Sequence, residues 1–242
     1  MPIFLNFDDP TFVQRFEDLL NSDRNDNLDV NRVVIDILAD VKTRGDEAIL
    51  ELTHRFDKIE LDKEKLRFTK NEIEEISSTI SLDERKALDL AATRIRVYHE
   101  KQKPEDVSWV DEIGVELGWR WTPLDSVGIY VPGGLASYPS SVLMNSIPAQ
   151  VAGVKRIAMV VPTPNGKINP TVLYAAKVSG VDEIYRIGGA QAIAALAYGT
   201  QTILPVDKIT GPGNSYVAAA KRQVFGKVGI DMIAGPSEVL VI

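Results

Sequence analysis

The sequence contains no cysteine, and this absence removes several chemistries at once. Without a thiol the chain can form neither a disulfide nor a thiolate metal site, and it offers no cysteine nucleophile. Histidine is almost as scarce, since only His54 and His99 occur. Both fall in predicted helices at a spacing that fits no metal-ligand pattern. We therefore interpret both as surface or packing residues.

Positive charge and long apolar runs are also lacking. Acidic residues outnumber basic ones by 34 to 27, and no stripe of Lys and Arg is present, so no nucleic-acid partner is expected. No apolar run approaches the roughly 20 residues that a membrane helix needs, so no membrane partner is expected. The amino-terminal stretch MPIFLNFDDP has no basic region before an apolar one, which argues against a signal peptide and favours a cytoplasmic location.

Residues before about 120 show mainly helical patterns. One helix is predicted near the amino terminus with Asp9 as its cap, and a second covers NRVVIDILADVKTRG, which ends in basic residues and Gly45. The longest predicted helix opens at Ser81, with Glu84 at capping-box spacing. The stretch GVELGWRW, residues 114–121, alternates apolar and other residues and predicts a strand.

Short apolar runs alternate with helical runs after residue 126. The predicted strands are residues 126–131, 156–161, 183–188, 207–210 and 230–234. Repeated β–α units with strands this apolar predict an α/β fold, a Rossmann-like parallel sheet with helices on both faces. The mostly helical first part is then interpreted as belonging to an incomplete second α/β domain.

Each predicted strand is followed by a turn rich in glycine or proline. The turns are Pro132-Gly133-Gly134, Pro162-Thr163-Pro164, Gly188-Gly189, Gly211-Pro212-Gly213 and Gly235-Pro236-Ser237. In a parallel sheet these turns share the carboxyl edge, where open α/β sheets bind ligands. Any α/β protein uses such residues as turn formers, but four glycine-containing turns at one edge favour a nucleotide or phosphate site.

The dinucleotide fingerprint itself is not matched. GPGNSY supplies G-x-G, but Tyr216 stands where the third glycine belongs. Asp231 lies 20 residues after Gly211 and is predicted to start the next strand, whereas a ribose-binding acid should end one. A dinucleotide bound at this edge would therefore be held by a variant mode.

Four polar residues at the carboxyl edge are candidates for ligand contacts. Tyr130 closes the first strand of the sheet, where its ring can pack on a flat ligand and its hydroxyl can form a hydrogen bond. Gln191 is a long amide among alanines at the start of a helix. Asn214 is more consistent with a helix cap than with a ligand contact. Ser237 is either a turn residue or a donor to a substrate, and it lacks the sequence context of a serine nucleophile.

Six longer stretches together resemble signatures of the histidinol dehydrogenase family, in the family's order. They are VKTRGDEAILELTHRFD, VGIYVPGG, VLMNSIPAQVAG, IGGAQAIAALAYGT, VDKITGPGNSYVAAAKRQV and GIDMIAGPSEVLVI. The resemblance covers essentially the whole chain. It implies that Tyr130, Gln191 and Asn214 occupy NAD-contacting positions and that Ser237 occupies a substrate-contacting one. It also implies oxidation of histidinol to histidine through an aldehyde, with two NAD molecules reduced in turn.

The same resemblance implies that the chain is an amino-terminal piece of a longer enzyme. The family's zinc ligands, its Glu–His acid–base pair and its small carboxyl-terminal domain are expected beyond Ile242, so neither a catalytic residue nor a metal ligand is predicted here. The expected domains are an amino-terminal arm (1–25), half of a discontinuous α/β domain (26–125), the NAD-side domain (126–238) and a return strand (239–242). A homodimer is implied, and the chain alone is expected to be inactive.

Two other functions remain open at this point. A non-catalytic dinucleotide-binding module would retain the carboxyl edge without the chemistry. Another NAD-linked aldehyde oxidoreductase is less consistent, because many of these enzymes trap the aldehyde on a cysteine, and this chain has none. In a piece of a larger enzyme, the helices of residues 26–120 are also expected to expose apolar faces, which favours association.

Overall fold

The computed structural model describes residues 3–133 and 138–233, apart from the side chains of residues 21–28. Its helices are α1 (Phe12–Arg44), α2 (Asp46–Asp57), α3 (Lys70–Ser78), α4 (Leu82–Glu100), α5 (Pro139–Ala152), α6 (Pro170–Val178), α7 (Gly189–Tyr198) and α8 (Ser215–Val224). Its strands are β1 (Val107–Val110), β2 (Glu116–Trp119), β3 (Ser126–Tyr130), β4 (Arg156–Val160), β5 (Glu183–Tyr185), β6 (Lys208–Thr210) and β7 (Gly229–Ile230). Each strand predicted before residue 234 is present, and each is shorter than predicted.

Five of the strands form one parallel sheet in the order β5-β4-β3-β6-β7. Tyr130, Val160 and Tyr185 lie side by side in the register of β3, β4 and β5. Their neighbours Ile129, Met159 and Ile184 point to the opposite face, as the two-residue period of a strand requires. β3 is buried along its whole length, which is why its sequence is a continuous apolar run.

Helices cover both faces of this sheet. The core on one face is shared with α5 and α6, and the core on the other face is shared with α7 and α8. A further layer lies outside each pair, because α1 and α2 pack against α7 and α8 while α3 and α4 pack against α6 and α5. This arrangement confirms the predicted α/β fold. The division into domains stays a prediction.

The amino-terminal region differs from the sequence-based expectation. The two predicted helices are one continuous helix, α1, because no glycine or proline interrupts residues 12–44. Asp9 is not the cap: Thr11 is the N-cap residue, and the Asp9 carboxylate accepts hydrogen bonds from the Thr11 backbone N–H (2.8 Å) and hydroxyl (2.7 Å). The expected boundary between residues 25 and 26 therefore falls inside α1. None of the helices in the described ranges is long and apolar enough to cross a bilayer.

A small antiparallel hairpin of β1 and β2 stands apart from the main sheet. β2 corresponds to the strand predicted at residues 114–121. Its partner β1 was not predicted, since VSWV is too short to show a clear period. Every residue of both strands is exposed.

The last strand is also different from expectation. β7 ends at Ile230 rather than reaching residue 234, because it is an edge strand paired over two residues only. Asp231 consequently follows the end of a strand, and the expectation that it starts one is wrong. The predicted return strand at residues 239–242 lies outside the described residues.

Candidate functional site

The candidate site lies at the carboxyl edge of the sheet, where the strand order reverses. From β3 the chain proceeds outward to β4 and β5, then crosses back to β6 and β7 on the other side of β3. Ligands of open α/β sheets bind outside the strand ends at such a reversal. Tyr130 ends β3 and Thr210 ends β6, so these two residues flank the reversal point.

Tyr130 is held at the centre of this edge. It is buried, and its hydroxyl accepts a hydrogen bond of 3.1 Å from the backbone N–H of Gly189, the first residue of α7. Burial raises the pKa of the Tyr130 hydroxyl, the Gly189 N–H acts in the opposite direction, and the negative charge of Asp57 adds to the rise. The phenol therefore stays neutral at physiological pH and keeps a proton to donate.

Gln191 lies beside Tyr130 in the first turn of α7. It is 2% exposed, yet its side-chain amide makes no hydrogen bond to any other described residue. Gly189 has φ +62°, and a Cβ there would lie 2.7 Å from Gln191 Oε1. Because Gly189 has no side chain, it leaves room for the Gln191 side-chain amide. Gly188, the N-cap residue of α7, has no side chain that could cap the helix, and the Gly189 N–H at this end is bonded to Tyr130.

The Gly211-Pro212-Gly213 turn after β6 is fixed by an ion pair whose lysine is buried. The Lys221 ammonium donates to the Gly211 carbonyl oxygen (3.0 Å) and pairs with the Asp231 carboxylate. Asp231 in turn accepts from the Gly211 backbone N–H (2.9 Å). Gly211 adopts φ +114°, and a Cβ there would lie 2.1 Å from the Tyr130 carbonyl oxygen, so the turn packs directly on the end of β3.

Sequence reasoning missed Lys221, although a signal was present. Lys221 is 4% exposed and lies four residues after Val217 on the buried face of α8. A charged residue at a position whose helical neighbours are apolar is a candidate for a buried pair.

Asn214 and Ser237 complete the predicted set. Asn214 is exposed and caps α8, since its side-chain oxygen accepts from the Val217 backbone N–H (3.1 Å). This is the interpretation that the sequence favoured, and its contact with NAD stays a prediction. A cavity of about 240 Å³ adjoins this turn, lined by Asn145, Gly211–Gly213, Val217, Lys221 and Asp231. Ser237 lies outside the described residues.

Buried polar atoms near this edge have the hydrogen-bonding capacity that a hydroxyl-bearing and amide-bearing ligand such as NAD would use. Within the described ranges, Thr210 Oγ1 at the end of β6, Thr163 Oγ1 after β4 and Asp57 Oδ2 on α2 are buried without a hydrogen-bond partner. Buried polar atoms in native proteins nearly always have partners, so such groups need an explanation. Zinc is a different case: the described residues include no group of three or more His, Asp or Glu side chains that could hold a metal ion.

Comparison with known proteins decides the family. Residues 20–242 match the family model described as histidinol dehydrogenase. The chain belongs to the histidinol dehydrogenase family. It is 63% identical to histidinol dehydrogenase of Ruegeria pomeroyi and 61% identical to that of Rhodospirillum rubrum, in both cases over 100% of this chain and 56% of the relative.

The fold comparison agrees. The crystal structure of histidinol dehydrogenase from Elizabethkingia anophelis superposes with a TM-score of 0.82 and 40% sequence identity, over 85% of this chain and 48% of that one. The chain therefore spans about half the length of the histidinol dehydrogenases that it matches. The parallel sheet and its helices lie within that shared half.

Proposed function

We propose that this chain carries the cofactor-binding part of an NAD-dependent histidinol dehydrogenase, which oxidises histidinol to histidine. The observation that carries the proposal is the grouping of Tyr130, Gln191 and the Gly211–Gly213 turn at the strand reversal of a family member. Family membership supports the reaction class. Location in the cytoplasm and assembly as a homodimer are proposed on the same basis.

In this proposal the carboxyl edge binds and orients the dinucleotide. The Tyr130 hydroxyl donates one hydrogen bond while it accepts from Gly189. The amide of Gln191, which has no partner among the described residues, offers a further donor and acceptor, and the N-terminus of α7 attracts the pyrophosphate. Asn214 contributes its amide nitrogen while its oxygen caps α8. When bound, NAD supplies the hydride acceptor.

The catalytic groups are proposed to belong to the part of the relatives that this chain does not span. Zinc, the Glu–His pair and most of the histidinol site fall there, with Ser237 as the proposed substrate contact in this chain. The 242-residue chain is then expected to bind NAD without turning over histidinol.

Titration calorimetry with NAD and an assay for NADH formation test these two statements. We expect the chain to bind NAD and to produce no NADH from histidinol, with or without zinc. Gln191→Leu should weaken NAD binding about fivefold, the value of one hydrogen bond of about 1 kcal/mol. Gln102→Leu, at an exposed position after α4, should have no effect. Zinc-dependent NADH formation by the purified chain would show that the catalytic groups are present after all.

A non-catalytic dinucleotide-binding module is the second candidate. Two observations together favour it. The carboxyl edge carries buried polar groups that a ligand could contact, and the described residues include no cluster of side chains that could hold a metal ion. Joining the chain to the part of a relative that it does not span distinguishes the two: the combined protein should form NADH from histidinol if this chain is the cofactor-binding part of the enzyme, and it should form none if the chain is a module that holds the dinucleotide alone.

A further inference from the structure

The strand order of the sheet identifies where a ribose-binding acid should lie. Counted from β3, the order β5-β4-β3-β6-β7 is the 3-2-1-4-5 order of the first five strands of a Rossmann fold. In that fold the acid that binds the ribose hydroxyls ends the second strand, which is β4 here. The chain after β4 reads Val161-Pro162-Thr163-Pro164 and contains no acid.

A carboxylate reaches this strand end from elsewhere in the chain. Asp57 is the last residue of α2, and α2 packs against the turn Pro164–Gly166 that follows β4. Just beyond the helix, Ile59 Cδ1 lies 3.4 Å from where a Cβ on Gly166 would stand. α2 therefore ends near the turn that follows β4, and Asp57 is close enough to Tyr130 for its charge to act on the phenol.

The carboxylate of Asp57 is unusual because one of its oxygens is buried without a partner among the described residues. The residue is 9% exposed, and Oδ2 has no hydrogen bond in the described part of the chain. Burial raises the pKa of Asp57 to about 6, so the group is mostly ionised at neutral pH. A buried charge without a partner destabilises the fold, which argues that it is retained for something outside these residues.

Thr163, in the turn after β4, carries a second buried polar group without a hydrogen-bond partner among the described residues. That group is its hydroxyl, and Thr163 occupies the stretch where the Rossmann acid would stand. A carboxylate accepts two hydrogen bonds and a threonine hydroxyl both donates and accepts. Two neighbouring hydroxyls of a ribose call for acceptors and donors of these kinds.

We propose that Asp57 accepts hydrogen bonds from a ribose of bound NAD, beside Thr163, and so replaces the acid that is missing from the end of β4. The inference rests on the proposed binding of NAD. It adds a selectivity: a 2′-phosphate would bring its negative charge against the Asp57 carboxylate, so the site takes NAD and rejects NADP.

The variant Asp57→Asn separates a ligand contact from a structural role. Calorimetry with NAD and NADP and thermal unfolding without ligand are measured on the wild type, Asp57→Asn and the control Asp36→Asn, which alters an exposed acid on α1. We expect Asp57→Asn to lower NAD affinity at least tenfold, to lose the preference over NADP, and to melt at the same or a higher temperature at neutral pH. Asp36→Asn should match the wild type in all three.

A conservative variant keeps the test decisive. Asp57→Glu retains the carboxylate and should retain the preference for NAD over NADP, even if Asp57→Asn fails to fold. Loss of that preference in Asp57→Glu would overturn the inference, as would an Asp57→Asn protein that binds NAD like the wild type. A lower melting temperature with equal loss of both dinucleotides would show a structural role and also overturn it. If the wild type binds no NAD, the proposed function fails, and this inference fails with it.

Discussion

Lys221 shows how one buried side chain fixes a turn at the candidate site. Its ammonium contacts the Gly211 carbonyl while its partner Asp231 contacts the Gly211 N–H, so both sides of one glycine are held. The two charges also neutralise each other, the Lys221 ammonium within the fold and the Asp231 carboxylate at its surface. The pair therefore couples α8 to the turn that follows β6.

Replacing Lys221 by methionine should destabilise the protein. Removing one partner of a buried ion pair costs about 3–5 kcal/mol, and we expect about 3 kcal/mol because Asp231 is partly exposed. Urea unfolding of Lys221→Met measures the loss. The matched control Lys227→Met alters an exposed lysine and should stay close to the wild type.

The double variant Lys221→Met/Asp231→Asn tests the pairing itself. If the two residues act as a pair, the double variant should be more stable than the sum of the single losses predicts. Strict additivity of the two losses would contradict the pairing.

Sequence predicted some of the site residues and missed others for a physical reason. Tyr130 and Gln191 could be placed because a parallel sheet brings strand ends and the following helix starts to one edge. Asp57 and Lys221 could not, since their role depends on which helix packs where. For both, the only signal was a charged side chain on an apolar helical face.

At the scale of elements, the contact between β3 and the turn after β6 depends on glycine. Gly211 and Gly226 both have positive φ, +114° and +98°, but a Cβ on Gly211 would collide with the Tyr130 carbonyl while one on Gly226 would meet no atom within 4 Å. A side chain at Gly226 would therefore meet only the cost of the backbone conformation, whereas one at Gly211 would also meet a steric clash.

Substitution by alanine should reveal that difference. Gly226→Ala should cost about 1–2 kcal/mol, the penalty of the left-handed conformation alone. Gly211→Ala should cost about 2 kcal/mol more, since overpacking adds about 1–3 kcal/mol. Chemical denaturation of both variants gives the comparison. Equal losses would mean that the turn moves away from β3 without cost.

The elements themselves were largely predictable, whereas their ends were not. The strands of the sheet are apolar runs between turn residues, and this local pattern can be recognised in the sequence whatever the tertiary arrangement. The merger of two predicted helices into α1 and the early end of β7 at Ile230 depend on packing and on edge pairing, which no local pattern records.

At the scale of the whole molecule, two apolar surfaces differ in exposure: one face of α1 is buried, and one face of the β1–β2 hairpin is exposed. The expectation that the helices of residues 26–120 expose apolar faces holds only in part, because Val34, Ile37 and Val41 of α1 are buried against α7 and α8. The hairpin does expose one: Val107, Trp109, Leu117 and Trp119 lie on one face of β1 and β2, and all are exposed.

This hairpin face should promote association of the isolated chain. Contiguous exposed apolar patches mark interaction sites or aggregation liabilities, so we expect sedimentation velocity to show larger species as concentration rises. The variant Val107→Thr/Leu117→Thr, which keeps β-forming residues on that face, should reduce the shift. Ser108→Thr, on the opposite face of the hairpin, should leave it unchanged. A chain that stays monomeric at all concentrations would contradict this expectation.

Helix α2 fixes the distance between two acidic residues, one at each of its ends. At its start, Asp46 is anchored to the loop before β6, since its carboxylate accepts from the Thr202 hydroxyl (2.6 Å) and N–H (3.2 Å). At its end stands Asp57, near the turn that follows β4. One residue inserted or deleted within α2 would turn Asp57 by about 100° about the helix axis. Natural length variation in this family should therefore avoid α2 and fall instead in the loop that follows it.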